Sequence, residues 1–211
     1  MNQVLRHNEF DAGLAPAHRL DDQALDQLFR EARSQNGFLP VPVADHLLEE
    51  AVELAKLGPT AANNNPFRVL FVKSAEGKEQ LKAVLSPGNV EKTMAAPVTA
   101  IVAYDAAFHQ FMPRLFPHMD LRPYYEGNPE VAQQDAFRNG TLQAAYFILA
   151  LRSVGLDAGP VGGFDAAKAD EVFFAGTSWK SNFLVNIGYG DATKLFPRLP
   201  RLNYEEIAKA A

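Results

Sequence analysis

Apolar positions recur at helical spacing early in the chain and later compress into short, nearly continuous runs. Between Asp21 and Arg33, Leu25, Leu28, Phe29 and Ala32 share one helical face, with Asp21 or Asp22 as the cap. A second helix is expected over 44–57, where Leu47, Leu48, Ala51, Leu54 and Ala55 form a stripe. Gly58-Pro59 ends it, because proline disfavours helix in the residue before it. Phe67 to Lys73 (FRVLFVK) is rich in β-formers and reads as a strand. Ser74 caps a helix to Leu85, and Ser86-Pro87-Gly88 is a turn. Pro97 to Tyr104 (PVTAIVAY) has the composition of a strand covered on both faces.

Residues 105–128 lose the period and are crowded with aromatics, proline and histidine. A long helix is expected from about Glu130 to Val154. It is followed by a short strand over Leu156–Pro160, a helix over Asp165–Phe174 and a buried strand over Phe183–Gly188. From Asp191 the tail is basic and broken by proline, and it ends in a short helix over Tyr204–Lys209. Residues 1–19 are aperiodic and are expected to form a flexible arm, leaving 20–211 as one α+β domain.

Charge and composition narrow the function. The net charge is −5, from 20 basic and 25 acidic residues, which is the wrong sign for a general nucleic-acid or anionic-membrane binder. No cysteine is present, so disulfides, thiolate metal sites and a cysteine nucleophile are excluded together. The longest apolar run, Ala144–Leu151, is too short to span a bilayer, and the expected compartment is the cytoplasm. The five histidines (7, 18, 46, 109 and 118) lack ligand spacing, so no metal site is expected. There is no phosphate-binding P-loop, no dinucleotide glycine fingerprint and no nucleophile elbow. Reactive chemistry here would have to come with a cofactor.

Four segments carry groups that could hold one. The loop Gly58-Pro59-Thr60-Ala61-Ala62-Asn63-Asn64-Asn65-Pro66 offers amides and a hydroxyl between a helix and a strand. Arg33, Ser34 and Asn36, at the end of the first helix, supply a planar fork and neutral donors suited to phosphate. Lys194, Arg198 and Arg201 line a proline-stiffened tail without an acid among them. Gly159-Pro160-Val161-Gly162-Gly163 leaves a strand and opens a helix, so a ligand face can come close to its backbone. Asn89 completes the set. Each segment alone also reads as an ordinary turn, helix end or solvated basic tail.

The order and spacing of these segments resemble the flavin-dependent nitroreductase family, from about Leu25 to Leu202. Within it, Leu115-Phe116-Pro117-His118 with Asp120 and Arg122, Lys180-Ser181-Asn182, and Arg198-Leu199-Pro200-Arg201-Leu202 are most similar to the malonic semialdehyde reductases of pyrimidine utilisation. The resemblance implies an α+β fold with a central, mostly antiparallel sheet flanked by helices. It also implies an intertwined homodimer with FMN at the subunit interface, reduced by NADPH or NADH. Arg33, Lys194 and Arg198, with Ser34, would hold the phosphate. Asn36 and Asn89 would bond the pyrimidine edge of the ring. Pro160, Gly162 and Gly163 would bring backbone to the hydride-accepting nitrogen. Pro59, Thr60, Ala61, Asn63 and Asn65 would reach the flavin of the partner. Two departures stand out: many relatives carry a glutamate in place of Gly162 and a lysine in place of Asn36.

For the small acceptor, the expected reaction is malonic semialdehyde to 3-hydroxypropionate, with segment 105–128 as a lid. Arg122 (with Arg114 as a second choice) is the expected carboxylate anchor, and His118 or Tyr125 the proton donor. A broad nitroarene or quinone reductase, and a flavin-binding module without turnover, are the alternatives.

Overall fold

The computed structural model describes residues 18–211, so most of the expected arm lies outside the described residues. The elements, in chain order, are α1 (Asp22–Leu25), prolonged by a π-helical turn (Asp26–Arg30), α2 (Asp45–Ala55), β1 (Phe67–Val72), α3 (Ala75–Lys82), α4 (Val90–Ala95) and β2 (Val98–Asp105). Then come α5 (Met112–Leu115), α6 (Arg122–Gly127), α7 (Pro129–Ser153), β3 (Asp157–Val161), α8 (Ala166–Phe173), β4 (Trp179–Gly188) and α9 (Tyr204–Ile207).

The strands form one sheet in the order β1-β2-β4-β3, and every pairing is antiparallel. β2 and β4 take the centre because their residues suit burial on both faces; Ala100, Ile101, Val102, Leu184, Val185 and Ile187 are fully covered. One face carries Phe67, Val98, Ala100, Val102, Ala158, Val185 and Ile187 against Leu48, Ala51 and Ala55 of α2 and Ala144, Phe147 and Leu151 of α7. The other carries Val72, Ile101, Ala103, Val161 and Leu184 against Leu81 and Val84 at the α3 end and Ala169 of α8. The β2–β4 register slips between Val102↔Phe183 and Ala103↔Ser181, which leaves Asn182 as a bulged residue.

α7 organises the rest. Its buried stripe Ala132, Ala136, Gly140, Ala144 and Phe147 has helical spacing and small residues, so the helix lies close to the sheet. A Cβ on Gly140 would stand 2.9 Å from that of Tyr104. Phe147 is fully buried, its ring 5.6 Å from that of Phe67. Two buried polar side chains interrupt the stripe, and both are used. Asn139 Oδ1 accepts from the Ala61 amide (2.8 Å), and Gln143 Nε2 donates to Asn65 Oδ1 (2.9 Å). The helix therefore fastens the loop that enters β1.

Several boundaries depart from the sequence reading. The first helix stops at Arg30 and not Arg33, because a π-turn satisfies its last amides: Glu31 N donates to Asp26 O. α4 was not anticipated; six residues behind Pro87 are too few to show a period. Segment 105–128 contains a 3-10 turn and the two short helices α5 and α6, each with proline in its first turn. β4 begins at Trp179, four residues before the expected strand, because the edge-like sequence Lys180-Ser181-Asn182 pairs with Ala103 and Tyr104 across the bulge.

Candidate functional site

Residues 33–38 form the site's first wall, and they are held by backbone pairing instead of helix. Ser34 bridges Ala158 of β3, Gln35 N donates to Ala158 O (3.1 Å) and Phe38 bridges Gly190. The strand-like approach needs glycine beneath it: a Cβ on Gly159 would collide with the Gln35 carbonyl. At the far end the stem of Lys194 crosses Gly37, whose Cβ would come 2.5 Å from Lys194 Cγ.

A cleft of about 750 Å³ opens along this wall. It brings together Arg33, Ser34, Asn36, Arg198 and Arg201, all singled out in the sequence, and adds Arg152; Lys194 is not among its lining residues. No carboxylate is among its lining residues. Each guanidinium is oriented by main-chain carbonyls. Arg33 donates to Phe196 O, Arg198 to Arg30 O (2.7 Å) and Ala32 O (3.0 Å), Arg152 to Leu28 O (2.9 Å), and Arg201 to Leu199 O (3.0 Å). Carbonyls fix direction but cannot neutralise a cation, so with no carboxylate lining it the cleft concentrates positive charge suited to an anion. Arg152 sits in the last turn of α7 and is half-buried. Burial pushes its pKa down, with nearby Asp157 opposing that and Arg198 adding to it. Sequence reading missed it, because a cation in the last turn of a helix is ordinary and its cleft partners lie far away in the chain.

Asn89, expected at the ring edge, and Gly163, expected at the hydride-accepting nitrogen, meet beyond the other end of β3. Asn89 Nδ2 donates to Gly163 O (2.8 Å), and Ser86 N donates to the same oxygen (3.1 Å). A Cβ on Gly163 would stand 2.4 Å from Asn89 Nδ2, so a larger residue there would displace the Asn89 amide. Gly162 differs: it is exposed, a Cβ would meet nothing within 4 Å, and its φ lies outside the left-handed range. Asn36 lies in the cationic cleft and not beside Asn89. From Ala158, which Ser34 touches, to Gly163 the strand advances about 16 Å. Phosphate-type and ring-edge-type groups thus stand at opposite ends of β3, with Pro160 exposed between them.

The loop Pro59–Asn65 is built differently from the sequence expectation of free amides. Ala62, Asn63 and Asn65 have φ of 48°, 55° and 41°, a costly conformation for side-chain-bearing residues. Their amides spend their bonds on the loop and its supports. Asn65 Nδ2 donates to Asn63 O and Oδ1 (both 2.7 Å), Asn63 Nδ2 to Leu115 O (2.8 Å), and Asn65 N to Thr60 Oγ1 (3.3 Å). Asn64 is fully buried with neither side-chain polar atom partnered among the described residues, although it faces the Tyr125 hydroxyl. The loop is fastened at Asn139, whereas the cleft is reached at Arg152. Thirteen residues of helix, about 20 Å, separate them within one chain.

Comparison with known proteins gives the family and the fold. The model of the nitroreductase family matches residues 29–189. A Stenotrophomonas maltophilia (strain R551-3) protein assigned as an NADH dehydrogenase/NAD(P)H nitroreductase is 60% identical over 92% of this chain and 100% of its own. The chain belongs to the nitroreductase family. A similarly assigned Burkholderia lata protein is 57% identical over 90% of this chain and 97% of its own. Among solved structures, the Bacillus subtilis nitroreductase-type protein ydfN superposes with a TM-score of 0.81 at 23% identity, covering 90% of this chain and 99% of its own. An Exiguobacterium sibiricum nitroreductase-type protein, solved in complex with FMN, gives 0.77 at 19% identity, covering 92% and 100%. The fold is the nitroreductase fold, with the antiparallel sheet the sequence resemblance implied.

The acceptor-side candidates of this nitroreductase-family chain are less free than the cleft cations. Arg122 is clamped by its neighbour Asp120, with Nη2–Oδ2 at 2.6 Å and Nε–Oδ1 at 2.9 Å, and the guanidinium holds that carboxyl down at about 2. His118 is exposed and meets Phe116 edge-on at 5.2 Å. Tyr125 is buried and donates to Asp135 Oδ2 (3.1 Å); burial and that carboxylate push its pKa up to about 12. A hydroxyl so bound and so weakly acidic is a poor proton donor near neutrality. Arg114 lies over the Phe111 ring at 5.8 Å. Among the described residues, no cluster of acidic and histidine side chains could hold a metal, and no helix is long and apolar enough to cross a membrane.

Proposed function

We propose that the protein is an FMN-dependent oxidoreductase that passes hydride from NADPH or NADH to a small acceptor, and that it works as a homodimer in the cytoplasm. The observation that carries this reading is the carboxylate-free cleft, where Arg33, Arg152 and Arg198 are aimed by carbonyls and joined through β3 to the Asn89–Gly163 clamp. This donor set fits FMN: guanidiniums and Ser34 for a phosphate dianion, Asn89 and the backbone at Gly162 and Gly163 for the polar edge of a planar ring. Bound there, the flavin would supply reversible two-electron hydride chemistry. The protein's part is to anchor the phosphate, hold the ring edge and leave one face open at Gly162, where nothing crowds the backbone. The distance between loop 59–65 and the cleft in one chain supports placing that loop over the flavin of a second copy.

For the acceptor we favour malonic semialdehyde, reduced to 3-hydroxypropionate, on the likeness of segments 115–122 and 198–202. Arg122 can take the substrate carboxylate only in exchange for Asp120. A broad nitroarene or quinone reductase is the second reading, favoured by the uncrowded face at Gly162. The deciding experiment is anaerobic reduction of the FMN-loaded protein by NADPH or NADH, then reoxidation with aldehyde, nitroarene and quinone. Fast reoxidation by malonic semialdehyde supports the first reading. Reoxidation by quinones and nitroarenes alone replaces it with the second. Bound flavin that neither nucleotide bleaches leaves a binding module without turnover.

A further inference from the structure

Lys78 is a buried cation that the proposed chemistry does not use. It lies on α3 with 7% of its surface exposed, and no carboxylate pairs with it among the described residues. Its Nζ donates to Thr99 Oγ1 on β2 (2.7 Å) and to the Thr93 carbonyl on α4 (3.0 Å). Thr99 Oγ1 donates on to Asn186 Oδ1 on β4 (2.9 Å), and Asn186 Nδ2 returns to Thr93 Oγ1 (3.1 Å). Thr93, Thr99 and Asn186 have no exposed surface at all. An ammonium buried among neutral partners is costly, and an apolar side chain of similar size would pack there at lower cost. Burial alone moves its pKa down to about 8, so it keeps most of its charge at neutral pH.

The network ends on the ring-edge clamp. Asn89 is the cap of α4, one helical turn before Thr93, and its side chain holds Gly163. Four residues of helical rise plus one hydrogen bond place the ammonium on the order of 10 Å from Asn89. The same α3 segment runs on to Val84 and Leu85, which bond Asp165 and bridge Phe164 just behind the glycines. Lys78 therefore ties α3 to the helix that carries Asn89 and sets a positive charge behind the clamp.

We propose that Lys78 is a positioning residue for the flavin ring edge, and that it favours the reduced over the oxidised flavin. The inference rests on the FMN reading. Hydride from NADPH or NADH would bring two electrons and one proton to the ring, and the resulting reduced anion would carry its negative charge toward the pyrimidine edge, where the clamp stands. A charge about 13 Å away, the distance to Asn89 plus one hydrogen bond, at an effective dielectric of about 20, is worth just under a tenfold preference, roughly eightfold to tenfold.

The test is the midpoint potential of bound FMN in wild type, Lys78→Met and Lys78→Arg, measured against a dye of known potential. Lys78→Met should weaken reduced FMN about tenfold more than oxidised FMN, which lowers the two-electron potential by about 30 mV. Lys78→Arg, which keeps the charge, should recover most of the shift. A folded Lys78→Met protein that binds FMN at the wild-type potential overturns the proposal. Should Lys78→Met fail to fold, Lys78→Gln serves: it removes the charge while keeping a donor toward Thr99 and the Thr93 carbonyl, and a wild-type potential in that variant overturns the proposal equally. Uptake of FMN by the wild type, followed by difference spectroscopy, is a separate arm. Failure there removes the cofactor reading itself, whereas normal uptake with no shift removes only the role of Lys78.

Discussion

The arginines of the cleft and those of segment 105–128 and its supports have the same chemistry and opposite partners. Arg33, Arg152, Arg198 and Arg201 donate to main-chain carbonyls, and no acid shares their cleft. Arg122 is locked to Asp120, and Arg68 to Asp105 at 2.6 Å. In the first group the fold orients the charge and leaves it unbalanced. In the second it spends the charge on structure. A basic residue therefore points to an anion site through the partner it lacks, not through its presence in a motif.

The largest effect should come from removing two of the unbalanced charges. Arg33→Ala with Arg198→Ala should weaken FMN binding by at least about 100-fold in equilibrium dialysis, since each charge-assisted bond contributes roughly tenfold or more. Retention of near-wild-type affinity would break the contrast outright. Arg152→Met keeps the apolar stem against α7 and should cost FMN about tenfold by the same assay; an unchanged affinity would reassign Arg152 to packing.

On the balanced side, Asp120→Asn should release Arg122. The KM for malonic semialdehyde should then fall about threefold while that for a neutral quinone stays put. Equal movement of both would show that Arg122 reads no carboxylate. The smallest effect concerns pH. The Asp120 carboxyl is depressed in the folded state, so its contribution is present above its ordinary value near 3.8 and is lost as pH falls toward 2. The gap in melting temperature between wild type and Asp120→Asn should be small at pH 5, because the pair is exposed, and should close by pH 2. A gap that stays constant across that range would sever the link to this ion pair.

Much of the molecule was legible because hydrophobic period reports burial directly. Phe67–Val72, Val98–Asp105 and α7 fell close to their expected spans, since each buries an uninterrupted stripe or run. Short elements escaped. α4, α5 and α6 span six residues or fewer, less than two turns, and their order comes from tertiary contacts and first-turn prolines. The antiparallel sheet came from family likeness and not from pattern, because strand order is a property of pairing between distant segments. The site followed the same division. Arg33, Ser34, Asn36 and Arg198 were visible as local motifs and do share one cleft, as Asn89 and Gly163 share one hydrogen bond. Arg152 was invisible because it serves the cleft from the end of a helix. The asparagine run was visible as a motif but its internal bonding was not: the Asn63 and Asn65 amides tie together a loop with left-handed turns, which spacing alone does not show.

Gly162 stands apart from its neighbour, because the backbone asks nothing of it. A residue free of steric duty beside a reactive face is an adjustable setting: evolution or an engineer can install a methyl, a hydroxyl or an acid there without disturbing the anchor at the opposite end of β3. With the flavin placed as proposed, acceptor range would then change independently of cofactor retention, one codon at a time.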